Sequence, residues 1–218
     1  MSESLARAER RQLCELLATL GPDAPTLPEG WTAHHLAAHL RLRETDPVAA
    51  LGIFFPPMAR ITERRMARLM TTVDFDELVG LIADGPGGAN PMRLGRVDSA
   101  VNTLEFFVHH EDLRRGGDFV VRPRALDEAT NDQLWELAIR TAVRKFMRMR
   151  LGVVLQRLRD GRPADEQAVV SIGRSPVTVL GEPGELIMWL FGRERAAEVQ
   201  FTGPADGLAR LRRKSMRV

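Results

Sequence analysis

The chain has 218 residues, of which 44% are hydrophobic and 28% are charged, and its formal net charge is +2. This composition supports a buried core and excludes a disordered chain. The arginines are spread along the chain, which argues against nucleic-acid binding, and no apolar run approaches the ~20 residues of a membrane span. With a charged N-terminal segment in place of a signal peptide, we expect a cytoplasmic protein with neither nucleic-acid nor membrane partners.

The first two thirds of the sequence has a helical pattern. Apolar residues at helical spacing predict a first helix over 4–20, which Gly21 ends. A second helix is predicted over 31–46, with Thr32 as its N-cap and Pro47 as its limit. Four further helices are expected, over residues 58–70, 77–83, 97–115 and 126–149.

The sequence changes character after residue 152, where β-branched residues become frequent and turn signals separate short apolar runs. The predicted strands cover residues 153–158, 168–172, 176–180 and 197–201, and the predicted helices cover residues 185–191 and 204–213. We therefore predict a helical domain over 1–150 and a small α/β domain over 151–218.

The histidines form two short clusters, and one spacing stands out. Glu105 and His109 are four residues apart in a predicted helix, so they lie about 40° apart on one face. His39 lies on the predicted inward face of the helix over 31–46. Two imidazoles and one carboxylate suit zinc, and three protein ligands leave a coordination position open. The spacing therefore indicates a metal site.

The residues alone leave alternatives open. A Glu/His pair at this spacing also occurs as an ordinary ion pair, and an inward histidine such as His39 is often a hydrogen-bonded core residue. His35, one turn before His39, is a possible fourth ligand that would close the site. Nickel, iron and other divalent metals accept the same ligands. The sequence contains neither a His-Glu-x-x-His motif nor a Gly-rich phosphate loop in a strand–helix context.

Three segments resemble one protein family. Residues 31–40, WTAHHLAAHL, resemble the W-T-x-x-x-L-x-x-H-L segment of the mycothiol-dependent maleylpyruvate isomerase family of the DinB-like superfamily. Residues 105–112, EFFVHHED, resemble its E-x-x-x-H-x-x-D segment, and residues 184–193 resemble its P-x-E-L-x-x-x-x-x-G-R segment. The resemblance extends to an uncharacterised actinobacterial metal-binding subfamily. Residues 51–90 do not align with the characterised isomerase, and we expect them to shape the pocket.

The resemblance implies both the fold and the ligands. The fold it implies is mainly α, a DinB-like up-down-up-down four-helix bundle with extra helices, followed by a small α/β C-terminal domain. The ligands it implies for zinc, or for another divalent metal, are His39, Glu105 and His109. Asp112 is expected to orient a ligand histidine.

The resemblance also implies an activity. It is that of a thiol-dependent S-transferase or isomerase, in which a low-molecular-weight thiol, mycothiol, attacks a small electrophile. The metal would supply the nucleophile, because it lowers the pKa of a bound thiol and so yields a thiolate at neutral pH. Arg43, Arg114 and Arg115 are candidates for binding carboxylates of the thiol or the substrate, with surface ion pairing as the alternative. Cys14 lies in an apolar helical stripe, so we expect it to be a buried structural thiol. It is not expected to be the nucleophile, because the nucleophile arrives with the cofactor.

Two other function classes stay open at this point. One is a non-catalytic metal-binding or regulatory module, since a bundle of this kind is a tolerant scaffold. The other is a metal-assisted hydrolase with a metal-bound water as nucleophile. The oligomeric state is open as well.

Overall fold

The computed structural model describes residues 3–49, 58–86, 96–117 and 119–215. The chain forms two compact units, Met1–Val121 and Arg122–Val218. The stretch expected to shape the pocket, 51–90, lies partly outside the described residues. Within the described ranges, no helix combines the length and the apolarity that crossing a membrane requires.

The N-terminal unit is helical. Its helices are α1 Leu5–Leu20, α2 Ala33–Thr45, α3 Ala59–Thr72, α4 Phe75–Ala83 and α5 Arg96–Arg114. Helix α1 ends at Gly21, which adopts a φ of 79° that glycine reaches without strain, and Thr32 is the N-cap of α2, both as predicted.

The core of this unit forms where the apolar stripes of α1, α2 and α4 meet α5. Leu13 and Leu17 of α1, Leu36 and Leu40 of α2, and Phe106 of α5 are all fully buried. Their spacing of four residues within α1 and within α2 is the period that brings side chains to one face of a helix. This packing fixes α2 and α5, which carry the predicted site residues.

The C-terminal unit combines a sheet with three helices. Its elements are α6 Glu128–Phe146, β1 Leu151–Arg159, β2 Arg162–Ser171, β3 Arg174–Gly181, α7 Pro183–Leu190, β4 Gln200–Thr202 and α8 Ala205–Ser215. The sheet has the strand order β2-β1-β3-β4. Strand β1 lies between β2 and β3, so these two consecutive strands are not neighbours. Strand β1 is antiparallel to β2 and parallel to β3.

The predicted fold class, mainly helical with a small C-terminal α/β part, is confirmed. The compact units divide between residues 121 and 122, not near 150, because α6 packs against α7 and β2. Whether separately folding domains divide at 150 stays a prediction. Strand β2 begins at Arg162, six residues before the predicted start, because Asp160 and Gly161 turn the chain into a hairpin. Because the first residues of β2 are mostly polar, the hydrophobic pattern did not predict them as strand.

Candidate metal centre

Two helices of the N-terminal unit bring three side chains together. His39 comes from α2, and Glu105 and His109 come from successive turns of α5. One ligand atom of each side chain lies within 4.8 Å of the other two. The four-residue spacing puts Glu105 and His109 on one face of α5, and the ring centroids of His39 and His109 are 5.0 Å apart. The three residues predicted as ligands therefore converge.

The distances suit one small cation. Zinc–ligand bonds of 2.0–2.2 Å in a tetrahedral site place neighbouring ligand atoms roughly 3.3 Å apart. The Nε2 atom of His109 and the Oε2 atom of Glu105 are 3.6 Å apart. A small side-chain adjustment would bring both atoms into bonding distance of one ion. Because two imidazoles and a carboxylate are also ligand types that zinc accepts, the residues fit a divalent metal.

Asp112 fixes the orientation of His109. The Nδ1–H group of His109 donates to Oδ2 of Asp112 at 2.9 Å, and Asp112 is fully buried. The backbone oxygen of Asp112 accepts a hydrogen bond from the N–H group of Leu27, at 3.0 Å. In the neutral imidazole, the proton on Nδ1 leaves the lone pair of His109 on Nε2, the nitrogen that faces Glu105. The contact has the geometry of a carboxylate that orients a metal-binding histidine, and the role of Asp112 in metal binding stays a prediction.

An aromatic ring supports His39. Trp31 lies just before α2, and its ring centroid is 5.2 Å from that of His39, with the planes 56° apart. His39 is itself buried. Trp31 and His109 thus flank the imidazole of His39, which limits the rotamers open to it.

Arg43 supplies a positive charge beside Glu105. Its Nε atom is 3.3 Å from Oε2 of Glu105, and its NH1 group donates to Oδ1 of Asn102 at 2.7 Å. The side chain of Arg43 is only 6% exposed and that of Glu105 only 15%. The guanidinium that was predicted to bind a carboxylate of the thiol or the substrate therefore contacts a carboxylate of the protein itself.

The charges around Glu105 decide its protonation state. Burial alone would raise the pKa of this carboxyl, but the contact with His109 and the nearby positive charges outweigh burial and lower the pKa to about 2. For His109 burial acts in the opposite direction and would lower the pKa, but the contacts of His109 with Asp112 and Glu105 raise that pKa above its ordinary value. Glu105 is consequently an anion at neutral pH, ready to hold a cation.

The other three histidines are engaged elsewhere. The imidazole of His34 packs edge-on against Phe75. The backbone N–H group of Thr32 donates to Nδ1 of His35 at 3.2 Å, so His35 takes part in capping α2. His110 pairs through Nδ1 with Oε2 of Glu9, at 2.9 Å. In the described part of the chain, the group that could hold a metal contains none of the three.

Comparison with solved structures identifies the fold. The chain is similar to the crystal structure of a histidine-to-alanine mutant of the mycothiol-dependent maleylpyruvate isomerase, with a TM-score of 0.58 and 19% identity over 91% of this chain and 90% of that chain. It is also similar to a crystal structure of the mycothiol-dependent maleylpyruvate isomerase, with a TM-score of 0.53, 18% identity and the same coverage. The chain has the fold of this isomerase. No protein-family model matches the sequence, and no curated protein matches it.

The two remaining candidate arginines pair with an acid of α5. Both oxygens of Glu111 accept hydrogen bonds from NH1 of Arg114 at 2.8 Å, and Nε of Arg115 donates to the same carboxylate. Glu111 is 1% and Arg115 8% exposed, whereas the side chain of Arg114 is 21% exposed, so this ion pairing is largely buried. Their assignment to a thiol or a substrate stays a prediction.

Cys14 is buried in α1, as predicted. Burial raises the pKa of its thiol to about 11, so the thiol is protonated at neutral pH. A protonated, buried thiol does not act as a nucleophile.

Sequence reasoning missed two partners of these side chains, Glu9, which pairs with His110, and Asn102, which accepts a hydrogen bond from Arg43. Glu9 is 2% exposed and lies in the buried stripe of α1, four residues before Leu13. A carboxylate within an apolar stripe is a usable signal, because a buried charge requires a partner. Asn102 offered no comparable signal, since its partner Arg43 comes from another helix.

Proposed function

We propose that this protein binds one divalent metal, zinc by preference, through His39, Glu105 and His109, and that the site serves a thiol-dependent isomerase or S-transferase. The observation that carries the proposal is the convergence of three ligand atoms within 4.8 Å from two separate helices. An ordinary i,i+4 ion pair between Glu105 and His109 would not need His39 as a third ligand group.

The protein's own residues divide the work of holding the metal. Glu105 contributes the negative charge, since its pKa of about 2 keeps it ionised. Asp112 holds the proton of His109 on Nδ1 and leaves Nε2 for the metal. His39 supplies the second imidazole from α2, with its ring packed against Trp31.

Among the described residues, three possible ligands converge without a fourth, and this arrangement supports chemistry over a purely structural role. His35, the residue that could have closed the site, accepts a hydrogen bond from Thr32 at the start of α2. Three protein ligands with a fourth position open are typical of catalytic zinc. Bound there, a metal would lower the pKa of a coordinating thiol and so supply a nucleophile at neutral pH.

The fold supports a choice of thiol and substrate class. The two solved structures reported above are of a mycothiol-dependent maleylpyruvate isomerase. We therefore propose mycothiol as the thiol and a small electrophile, an unsaturated keto acid such as maleylpyruvate, as the substrate. Arg114, whose side chain is 21% exposed, and Arg115 are kept as the candidates for binding a carboxylate of the thiol or the substrate, which would compete with their pairing to Glu111.

The test is an assay of the zinc-loaded protein with maleylpyruvate, with and without mycothiol, following the geometric isomers by chromatography. We expect turnover that requires the thiol and falls to background in Glu105→Gln, whose side chain has nearly the same shape. Glu9→Gln, a buried acid of α1 that pairs with His110 outside the group of three, serves as the matched control for a lost buried carboxylate.

Each other result selects a different function. Bound metal without turnover, on this and on other unsaturated acids, would favour the non-catalytic metal-binding module. Hydrolysis of esters or amides that needs the metal but no thiol would favour the hydrolase. A native protein that binds no divalent metal would contradict the proposal as a whole.

A further inference from the structure

We propose that Arg43 is a built-in competitor of the metal: a fixed positive charge that replaces the cation beside Glu105 in the metal-free protein and thereby sets how tightly the metal is held. This inference rests on the proposed metal site. It concerns Arg43 alone and not the reaction.

One oxygen atom is the meeting point of two groups. The Nε atom of Arg43 is 3.3 Å from Oε2 of Glu105. The Nε2 atom of His109 is 3.6 Å from the same oxygen. A metal bound by His109 and Glu105 would therefore use the oxygen that Arg43 already contacts.

The guanidinium of Arg43 is held in place on its other side. Its NH1 group donates to Oδ1 of Asn102, which lies on α5 one turn before Glu105. With a side chain only 6% exposed, Arg43 is a charge that stays near the site when a cation enters, and like charges repel strongly where water is excluded.

The same contact stabilises the protein without metal. A buried carboxylate that loses its cationic partner destabilises the fold strongly. In the metal-free protein, Arg43 is such a partner for Glu105. Removing Arg43 should thus raise the free energy of the metal-free state more than that of the metal-bound state, in which the metal itself neutralises Glu105. By linkage, a metal then binds the variant more tightly.

A positioning role for Arg43 predicts the opposite sign. If Arg43 served mainly to orient Glu105 as a ligand, removing it would weaken metal binding by roughly 10- to 100-fold, as for other residues behind metal ligands. The direction of the change in zinc affinity therefore separates the two roles.

The experiment measures zinc affinity, by competition with a chelator, and thermal unfolding with zinc or with EDTA, for the full chain and for Arg43→Met. In EDTA we expect the melting temperature of the variant to fall by several degrees. We expect its zinc dissociation constant to fall by about tenfold or more, because zinc restores the missing charge. Arg43→Lys, which keeps the charge, should stay near the native values.

Arg41→Met is the matched control. Arg41 lies on the same helix, and its NH1 group donates to the backbone oxygens of Leu81 and Gly85. In the described part of the chain it pairs with no carboxylate. Its loss should destabilise the protein equally with and without zinc, so zinc affinity should not change.

The outcomes are distinguishable. If the native protein binds no zinc, the proposed function is wrong and the inference falls with it. If the native protein binds zinc but Arg43→Met binds it equally or more weakly, only the inference is wrong. If Arg43→Met does not fold in EDTA, the double variant Arg43→Met/Glu105→Gln decides, since it removes both charges. The inference requires that variant to fold in EDTA, and its failure to do so would contradict it.

Discussion

His109 and His110 are neighbours on α5, yet they face two different regions of the bundle. Each is buried, and each has its Nδ1 atom 2.9 Å from a buried carboxylate, Asp112 for His109 and Glu9 for His110. The ~100° rotation between successive helical residues turns the two rings toward different helices. A buried histidine–carboxylate pair is therefore not a metal site by itself.

The two histidines differ in the side chains that lie near the rest of each ring. Around His109, Glu105 and His39 bring two more ligand atoms within 4.8 Å. The His110 side faces α1 through Glu9, and among the described residues it belongs to no such group. We call the His110–Glu9 pair the α1 side, and His109 with Asp112, Glu105 and His39 the α2 side. The α1 side contributes to packing, whereas the α2 side has the composition of a binding site.

The largest expected effect is the loss of metal from one side only. His109→Ala should lower zinc affinity by more than about a hundredfold, because it removes a direct ligand. His110→Ala should keep its zinc but lose about 3 kcal/mol of unfolding free energy, because it breaks the buried pair of His110 with Glu9. Chelator competition and chemical denaturation measure the two quantities. Loss of zinc from both variants would show that the two sides are not distinct.

A smaller difference is expected one step further from the metal. Asp112→Asn removes the charge that holds the proton on Nδ1 of His109 and should weaken zinc binding by roughly 10- to 100-fold. Glu9→Gln makes the same change behind His110 and should leave zinc affinity unaltered. Equal effects from the two substitutions would contradict the assignment of roles.

The sequence could predict the α2 side because its signals are local. Glu105 and His109 are four residues apart within one helix, so their spacing can be read from the sequence. These two residues and His39 are also the three that the family resemblance implies as ligands. The helix bounds followed from apolar periodicity to within two or three residues, as α1 and α5 show. The Arg43–Asn102 contact and the His110–Glu9 pair join residues far apart in the chain, and no periodic pattern encodes such contacts.

The same limit explains the differences in the C-terminal unit. The polar start of β2 is held by its pairing with β1, which a hydrophobic pattern does not register. Helix α6 follows a helical region in sequence, but its packing against α7 and β2 places it in the other compact unit.

Cys14 tests whether the nucleophile comes from the protein. With the pKa of its thiol raised by burial to about 11, the thiolate fraction at pH 8 is about one in a thousand. Because a raised pKa keeps the thiol protonated, labelling of the native protein by a thiol reagent should be negligible at pH 8 and complete in denaturant. Cys14→Ser should leave any thiol-transfer rate nearly unchanged. Rapid native labelling, or loss of turnover, would overturn this assignment.

The smallest expected effect is optical. Trp31 is near His39, whereas the other two tryptophans, Trp135 and Trp189, belong to the C-terminal unit. Metal binding should change the emission of Trp31, and the change should vanish in Trp31→Phe while zinc affinity is largely kept. An unchanged zinc response in that variant would show that the emission change arises outside the α2 side.

The most direct test of the central claim is the metal content of the protein, purified without chelating resin and incubated with zinc, compared with His39→Ala and with His110→Ala as control. The account predicts about one metal per chain in the native protein and in His110→Ala, and none in His39→Ala. A native protein without metal, or a His39→Ala variant with full metal content, would contradict it and leave the three residues as a buried polar cluster.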